Sequence, residues 1–419
     1  MATFNKGIVF FLVILLFSMT VEAQPAQPTF AAVHDGMVTI YSGGAAMVVQ
    51  NPPNRGFNSL VWSRDGSRLA YLLNTVDFTS RLMVTDASAS TPIMLDAGEI
   101  EAGFPVTFDA EGNIIYVGRG TPPSAENTNY RADVKQIAPQ AGAQAQTLGG
   151  FAMGIGCGGG SPLPGDWLYW EEAGFGGSHL ILEMTDYGLL HNTSCTGVGL
   201  ALLDLQTGQD TPIGPEFDKQ QGPSEGFGRA ALSPDGTQVA ALYTRYAEPS
   251  PIRTLAIIDL ATLNVTEVKT TVQPDQVVWG ADGSLFYSVT TFKVNLVDAL
   301  TADEKQKLSE TNTLDIPGHE VSIYHIIPAD GQEQMLYQSS AYVIGRMKAD
   351  STRLLFSQIA NQDAWIKAIA DGTLDVMQDD NGSQQRALVP VTLYQLMLDG
   401  STTPTSLGAS LTQFTVKPG

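Results

Sequence analysis

The chain has 419 residues, with 22 Lys and Arg against 43 Asp and Glu, a formal net charge of −21 and 43 % apolar residues. So acidic a surface repels phosphate backbones, which argues against nucleic acid as a partner, and it is also the plain way to keep an exported β-protein soluble. The apolar share provides ample core material.

The first 23 residues have the organisation of an export signal. Lys6 gives a positive start, residues 7–17 form an apolar core, and Val21-Glu22-Ala23 places small residues ahead of cleavage before Gln24. The apolar run is short for a membrane span, which needs about 20 residues. No Cys follows it, which argues against a lipid anchor, and no later stretch is long and apolar enough to cross a membrane. The expected mature chain is one domain over 24–419, secreted or periplasmic. Removing Lys6 and Glu22 leaves its net charge at −21.

Beyond the signal, two kinds of hairpin alternate. The first kind is an apolar run, a polar turn with Asp-Gly or Glu-Gly, and a second apolar run. It occurs at LVWSRDGSRLAYLL (60–73), VTFDAEGNIIYVG (106–118), AALSPDGTQVAALY (230–243) and VVWGADGSLFYSV (277–289). Degenerate copies are GDWLYWEE (165–172) and GRMKADSTRLLFSQ (345–358). The second kind has turns richer in Asp, Thr and Gly. It spans 38–49, 82–95, 134–148, 200–213, 255–268, 323–336 and 393–407. The only good helix signal is Thr301 to Glu310, with an N-cap at Thr301, acids in the first turn and Lys toward the end.

Alternating hairpins give units of four antiparallel strands, and such units repeated along a chain describe an all-β propeller. The strand in 29–38 and the orphan strand 411–416 complete a unit split between the termini, so the C-terminal strand closes the ring without a free edge. Seven blades are expected; six or eight remain open, because the first and third are the least regular. WSRDGSRLAYL and LSPDGTQVAAL resemble the repeat of TolB-type (WD-like) propellers. The resemblance covers most of 30–416 as a pattern and belongs to the repeat, since no separate N-terminal α/β domain is visible. It departs from the pattern at Glu111 and at Asp350-Ser351. It implies a bacterial-type envelope or extracellular protein, with the motif's Asp-Gly making a turn and its Ser and Trp packing between blades. None of this is chemistry.

Insertions point to function better than the repeats do. The second-to-third-strand connection is long at about 173–197, 291–321 and 359–391, three excursions on one face. An elaborated binding surface is one reading and neutral loop growth the other. The segment 156–195 holds both cysteines, two Trp and two His. Trp167 and Trp170 face opposite sides of a strand. Trp170, Tyr187 and His191 are the candidate contact residues, with blade core as the alternative for the tryptophans. Cys157 and Cys195, the only cysteines, suggest one disulfide in an exported chain. It would be worth on the order of 3–4 kcal/mol. The two positions nevertheless fall toward opposite faces of one blade, so the bond needs a segment to fold back across the blade edge.

Catalytic signatures are weak. There is no G-x-S-x-G elbow and no room after residue 416 for the hydrolase domain that follows some propellers. His319, Glu320 and His325 lack the H-E-x-x-H spacing. Asp379-Asp380-Asn381-Gly382 lacks the alternation of a calcium loop and reads as a turn. The Gly-rich stretch at 156–161 has no Lys and no helix after it to hold a phosphate. Asn192, Asn264 and Asn381 head glycosylation sequons, which matter only in a host that modifies exported proteins. The expected function is therefore a binding or interaction module for a protein or cell-envelope ligand. The alternative is a propeller enzyme of lactonase, sugar dehydrogenase or glycosidase type. Such an enzyme would hold a metal-assisted site, calcium among the candidates, in the central channel.

Overall fold

The computed structural model describes residues 28–77, 79–100, 106–109, 111–120, 130–153, 166–168, 175–176, 179–186, 198–204, 207, 210–213, 226–245, 252–309, 316–374, 383–409 and 411–417. Its strands form antiparallel sheets that follow one another along the chain. Blade I joins β1 (Phe30–His34), β2 (Met37–Ser42) and β3 (Ala45–Val48) to the C-terminal strand. Blade II is β4 (Asn54–Trp62), β5 (Arg68–Thr75), β6 (Ser80–Asp86) and β7 (Ile93–Met94). Blade III is β8 (Thr107–Phe108), β9 (Ile114–Arg119), β10 (Tyr130–Ile137) and β11 (Gln146–Met153). Sheet IV is β12 (Asp166–Leu168), β13 (Phe175–Gly176), β14 (His179–Asp186), β15 (Val198–Asp204) and β16 (Asp210–Ile213). Blade V is β17 (Gly226–Leu232), β18 (Gln238–Arg245), β19 (Ile252–Asp259) and β20 (Val265–Val268). Blade VI is β21 (Gln276–Trp279), β22 (Leu285–Asn295), β23 (Pro317–Ile327) and β24 (Gln332–Ser340). Blade VII is β25 (Val343–Ala349), β26 (Arg353–Ile359), β27 (Val391–Met397) and β28 (Thr405–Ala409), after which β29 (Leu411–Val416) returns to blade I.

The split unit forms as the sequence pattern predicts: β29 pairs with β1, Phe30 opposite Val416 and Ala32 opposite Phe414. The expectation of seven four-stranded blades, with six or eight open, needs one correction: six such blades are shown among the described residues. Six sheets are four-stranded, whereas sheet IV has five strands, because the short β13 pairs with β14 off the main path. The long connection expected over 173–197 also contains β14, which is the second strand of that sheet. The tryptophan-rich run before it is the more conspicuous apolar stretch, and it masks the strand in HLILEMTD.

Alternation along the strands explains the packing. The middle strands such as β5, β18 and β26 bury one row of side chains toward the preceding blade and one toward the next, so they read as nearly continuous apolar runs. In β5, Leu69, Tyr71 and Leu73 pack with Val33, Ile40 and Trp62 between blades I and II. Ala70 and Leu72 pack with Val84, Ile114 and Tyr116 between blades II and III. The series closes where Leu355 and Leu393 of blade VII meet Phe30, Ala32 and Phe414 of blade I.

Motif residues divide the labour. Trp62 and Trp279 are buried between blades, and Trp279 donates its indole N–H to the Ala231 carbonyl at 2.8 Å. The motif serine is buried and its hydroxyl is engaged within the turn. Ser63 Oγ donates to Asp65 at 2.6 Å and accepts the Arg68 N–H at 2.9 Å, which fastens the turn. Ser233 and Asp235 repeat both bonds at 2.6 and 2.9 Å. Blade VI has Gly280 in place of that serine, and a Cβ there would come within 2.7 Å of Ser284 Oγ, which supplies the hydroxyl for Asp282 instead. In blade VII the hairpin is tighter. Asp350 takes the serine's place, with its N–H donating to Arg353 O across Ser351-Thr352.

Candidate functional site

Trp170, Tyr187, His191, Cys157 and Cys195 lie outside the described residues, as do Asp379, Asp380, Asn381 and Asn192. Asn264 is described, and it sits exposed in the turn between β19 and β20.

The face bearing the second-to-third-strand connections is well defined at blades VI and VII. β22 and β23 run beyond the blade as a long hairpin whose connection holds a short 3-10 turn (Leu296–Ala299) and helix α1 (Ala302–Ser309). Thr301 and Glu304 form a capping box. The Glu304 carboxylate accepts the Thr301 N–H at 2.8 Å, and the Thr301 hydroxyl accepts the Glu304 N–H at 3.3 Å. The blade VII connection folds as α2 (Asp363–Ala370) and α3 (Ser383–Leu388). The two insertions share a small core in which Val297, Leu308 and Ile316 meet Ile366, Ile369 and Leu374. The helix expected at Thr301–Glu310 forms as α1, and with the blade VII excursion, which the sequence shows only as a long loop, it makes one helical cap. The signal for α2 was present: apolar Ile366, Ile369 and Ala370 recur at helical spacing, and Gly372 (φ 80°) ends the helix with its N–H on Ile369 O.

The cap is tied to the ring. Asn361, nearly buried, accepts the His319 N–H at 3.1 Å and donates to His319 O and Ser340 Oγ, both at 3.0 Å. Gly318, opposite Val294 in the hairpin, leaves room for the Leu296 side chain, whose Cδ2 would lie 2.5 Å from a Cβ there. Beside this junction Phe292 is 60 % exposed and Val294 53 % exposed. Lys293 pairs with Glu320 at 2.8 Å.

The innermost strands are stitched to one another by residues the sequence analysis passed over. The Gln413 amide donates to Phe57 O (3.3 Å), Ser59 Oγ accepts the Val106 N–H (2.9 Å), and the Gln276 amide donates to Ile344 O (2.6 Å). Arg229 donates to Asp275 O. Each bond joins consecutive inner strands. Ser59 (φ 55°) and Arg229 (φ 52°) sit in the left-handed region at matching bulges, which turn them toward the neighbouring blade. Their signal was a polar residue four positions before Ser63, Ser233 and Gly280 in otherwise apolar strands. Asp275 is further engaged by Arg253 (2.7 Å) and by the Thr290 N–H (2.6 Å). Among the described residues no group of three or more His, Cys, Asp or Glu side chains is placed to hold a metal ion.

The turn carboxylates are held below their ordinary range. The Ser63 hydroxyl, then the Ser67 N–H and hydroxyl, bring Asp65 down to about 2, and the Ser88 hydroxyl does the same for Asp86. Ser233 and Ser284 hydroxyls lower Asp235 and Asp282. Because the folded values lie below the unfolded ones, this stabilisation is complete above the ordinary carboxylate range and is lost as pH falls through the folded values. The unfolding midpoint is therefore expected to drop between about pH 4 and pH 2. Ser63→Ala should make that drop shallower in a thermal melt series, and an unchanged profile would contradict this origin.

No family model and no curated protein matches the sequence. Among solved structures, an oligogalacturonate lyase from Vibrio parahaemolyticus is 12 % identical with TM-score 0.50, covering 78 % of this chain and 82 % of that one. A prolyl endopeptidase is 11 % identical with TM-score 0.50 and covers 93 % of this chain, which spans 50 % of its length. TolB from Acinetobacter baumannii is 15 % identical with TM-score 0.40, covering 74 % of this chain and 63 % of that one. At these identities the likeness is one of fold. With the sheet order it defines the class as a β-propeller of antiparallel blades. Among the described residues no helix is long and apolar enough to cross a membrane.

Proposed function

We propose that this chain is an exported β-propeller that acts as a binding module, engaging a protein or cell-envelope ligand through its loop-bearing face. Sheet IV completes a seven-bladed ring in this reading, and residues 1–23 are the export signal. The observation that carries the reading is the convergence of the blade VI and VII insertions into one cap with its own core, next to exposed Phe292 and Val294. A rigid ring that fixes such a cap displays a preformed surface, and exposed apolar side chains at its border are what a partner would cover. The polar side chains of the inner strands described above are spent on blade-to-blade bonds, which favours this reading over an enzyme working in the channel.

The enzyme alternative, with calcium or another metal in the channel, makes a different prediction. For the binding module, the thermal midpoint of residues 24–419 stays within about a degree on adding a chelator. A midpoint that falls with chelator and recovers with calcium would mean a specific metal site, and would shift the reading toward the enzyme.

A further inference from the structure

We propose that blade VI carries a second docking site, which runs along its outer edge into a cleft on the hairpin-turn side of the ring. It takes an extended polypeptide segment that adds to β24 and places a lysine or arginine side chain in the cleft between blades VI and VII. This site is independent of the loop-face reading above.

Blade VI differs from its neighbours in its outer edge. The outermost strands β3, β7, β16, β20 and β28 have two to five residues and β11 has eight, whereas β24 has nine. β24 carries a single charge, Glu333, and no Lys or Pro, so it lacks the usual devices that block edge pairing over its upper half. The Ala341 N–H donates to His319 O, which makes that opposed pair a hydrogen-bonding one. Alternation then assigns Ser339 with Val321 and Tyr337 with Ile323 to the same class, and turns the backbone groups of Gln338 and Ser340 outward. Ile327 and Met335 are exposed on this blade as well.

Next to the lower half of β24 lies a cleft of about 400 Å³. The register slips between Ile323 and Tyr324, leaving Leu336 as the extra residue. Leu336 lines the cleft with Phe286, Met397 and Leu398, and Asp282 and Asp350 stand in the same wall. Apolar walls with a carboxylate at the end suit a long aliphatic stem with a cationic head. Asp350 already shares Arg353 at 3.0 Å, so Asp282 is the principal anchor. The Ser284 hydroxyl holds it ionised. His325, its ring tilted against Phe286 at 5.0 Å, lines the remaining side. A second copy of this chain is a poor occupant, because each copy carries −21. A cationic extended segment of another protein combines charge complementarity with main-chain pairing, the usual division between affinity and specificity in strand addition.

The test is fluorescence anisotropy with a labelled eight-residue peptide alternating lysine and valine. Two control peptides accompany it: one N-methylated on alternate amides, in both phases, and one with norleucine for lysine. The proposal expects saturable binding that weakens at least tenfold with N-methylation in one phase, with norleucine, and in the variants Gln338→Pro and Leu336→Trp. Thermal midpoints check that the variants fold; if either does not, the peptide controls on the unaltered protein decide. Binding that survives N-methylation in both phases would reveal mere attraction to an acidic surface and overturn the proposal, as would no saturable binding at millimolar peptide. Cap variants such as Ile366→Asp should leave this binding intact, so failure here and failure of the loop-face reading are distinguishable.

Discussion

A chain ending at Ala409 should fail to fold cooperatively. It loses β29, the innermost strand of blade I, and with it the closure of the ring. Leu411 and Phe414 are both 1 % exposed and belong to the cluster that joins blade VII to blade I. Without them Phe30 and Ala32 lose their covering, and the Gln413 bond to Phe57 O disappears. The inner edge of β1 would then be an unpaired strand facing water, a template for aggregation. Phe414→Ala alone should cost about 3–5 kcal/mol, the usual range for removing a large buried aromatic. Urea unfolding followed by tryptophan fluorescence and far-UV circular dichroism reads both effects. The truncated chain should show a broad or absent transition and oligomers on size exclusion. A cooperative transition at the full-length midpoint would mean that blade I is complete without its C-terminal strand.

Ile366→Asp should melt the cap and leave the ring standing. Ile366 is 1 % exposed in the small core formed with Val297, Leu308 and Ile316. An unpaired carboxylate there costs several kcal/mol, more than so small a cluster of short helices holds. The ring's own clusters do not include Ile366, so the loss is local. Hydrogen exchange should rise sharply over 296–309 and 363–371, with the β-strand peptides and the global midpoint little changed. If the cap is the binding surface, ligand affinity falls at least tenfold in the same variant. Global unfolding would instead show that the cap is integral to blades VI and VII.

The two expectations rest on different parts of the sequence. The blades were legible because each hairpin states its strands and turn within about 15 residues, in patterns such as LVWSRDGSRLAYLL. Even the split blade was visible, since LTQFTV had no local partner. Sheet IV was less so: the tryptophans of 165–172 drew attention from β14, whose HLILEMTD alternates less clearly. The cap escaped because its core is assembled from two insertions more than 50 residues apart, Leu308 with Ile366, and neither segment alone buries a face. The blade-to-blade bonds of Ser59, Arg229 and Gln276 escaped for a related reason. Each is a single polar residue whose partner lies on another blade, and for Ser59 and Arg229 its meaning depends on a bulge that only strand register reveals.

The proposal that the loop-bearing face does the binding is tested most directly by site-specific photo-crosslinking of the full chain in the cells that produce it. A photoreactive residue replaces Phe292 or Val294 at the cap border, with Val48 and Val265 on the rim as controls; all four are exposed. The account predicts one discrete adduct from positions 292 and 294, lost when Ile366→Asp is added, and none from 48 and 265. Equal adducts from all four positions, or adducts from the rim alone, would contradict it.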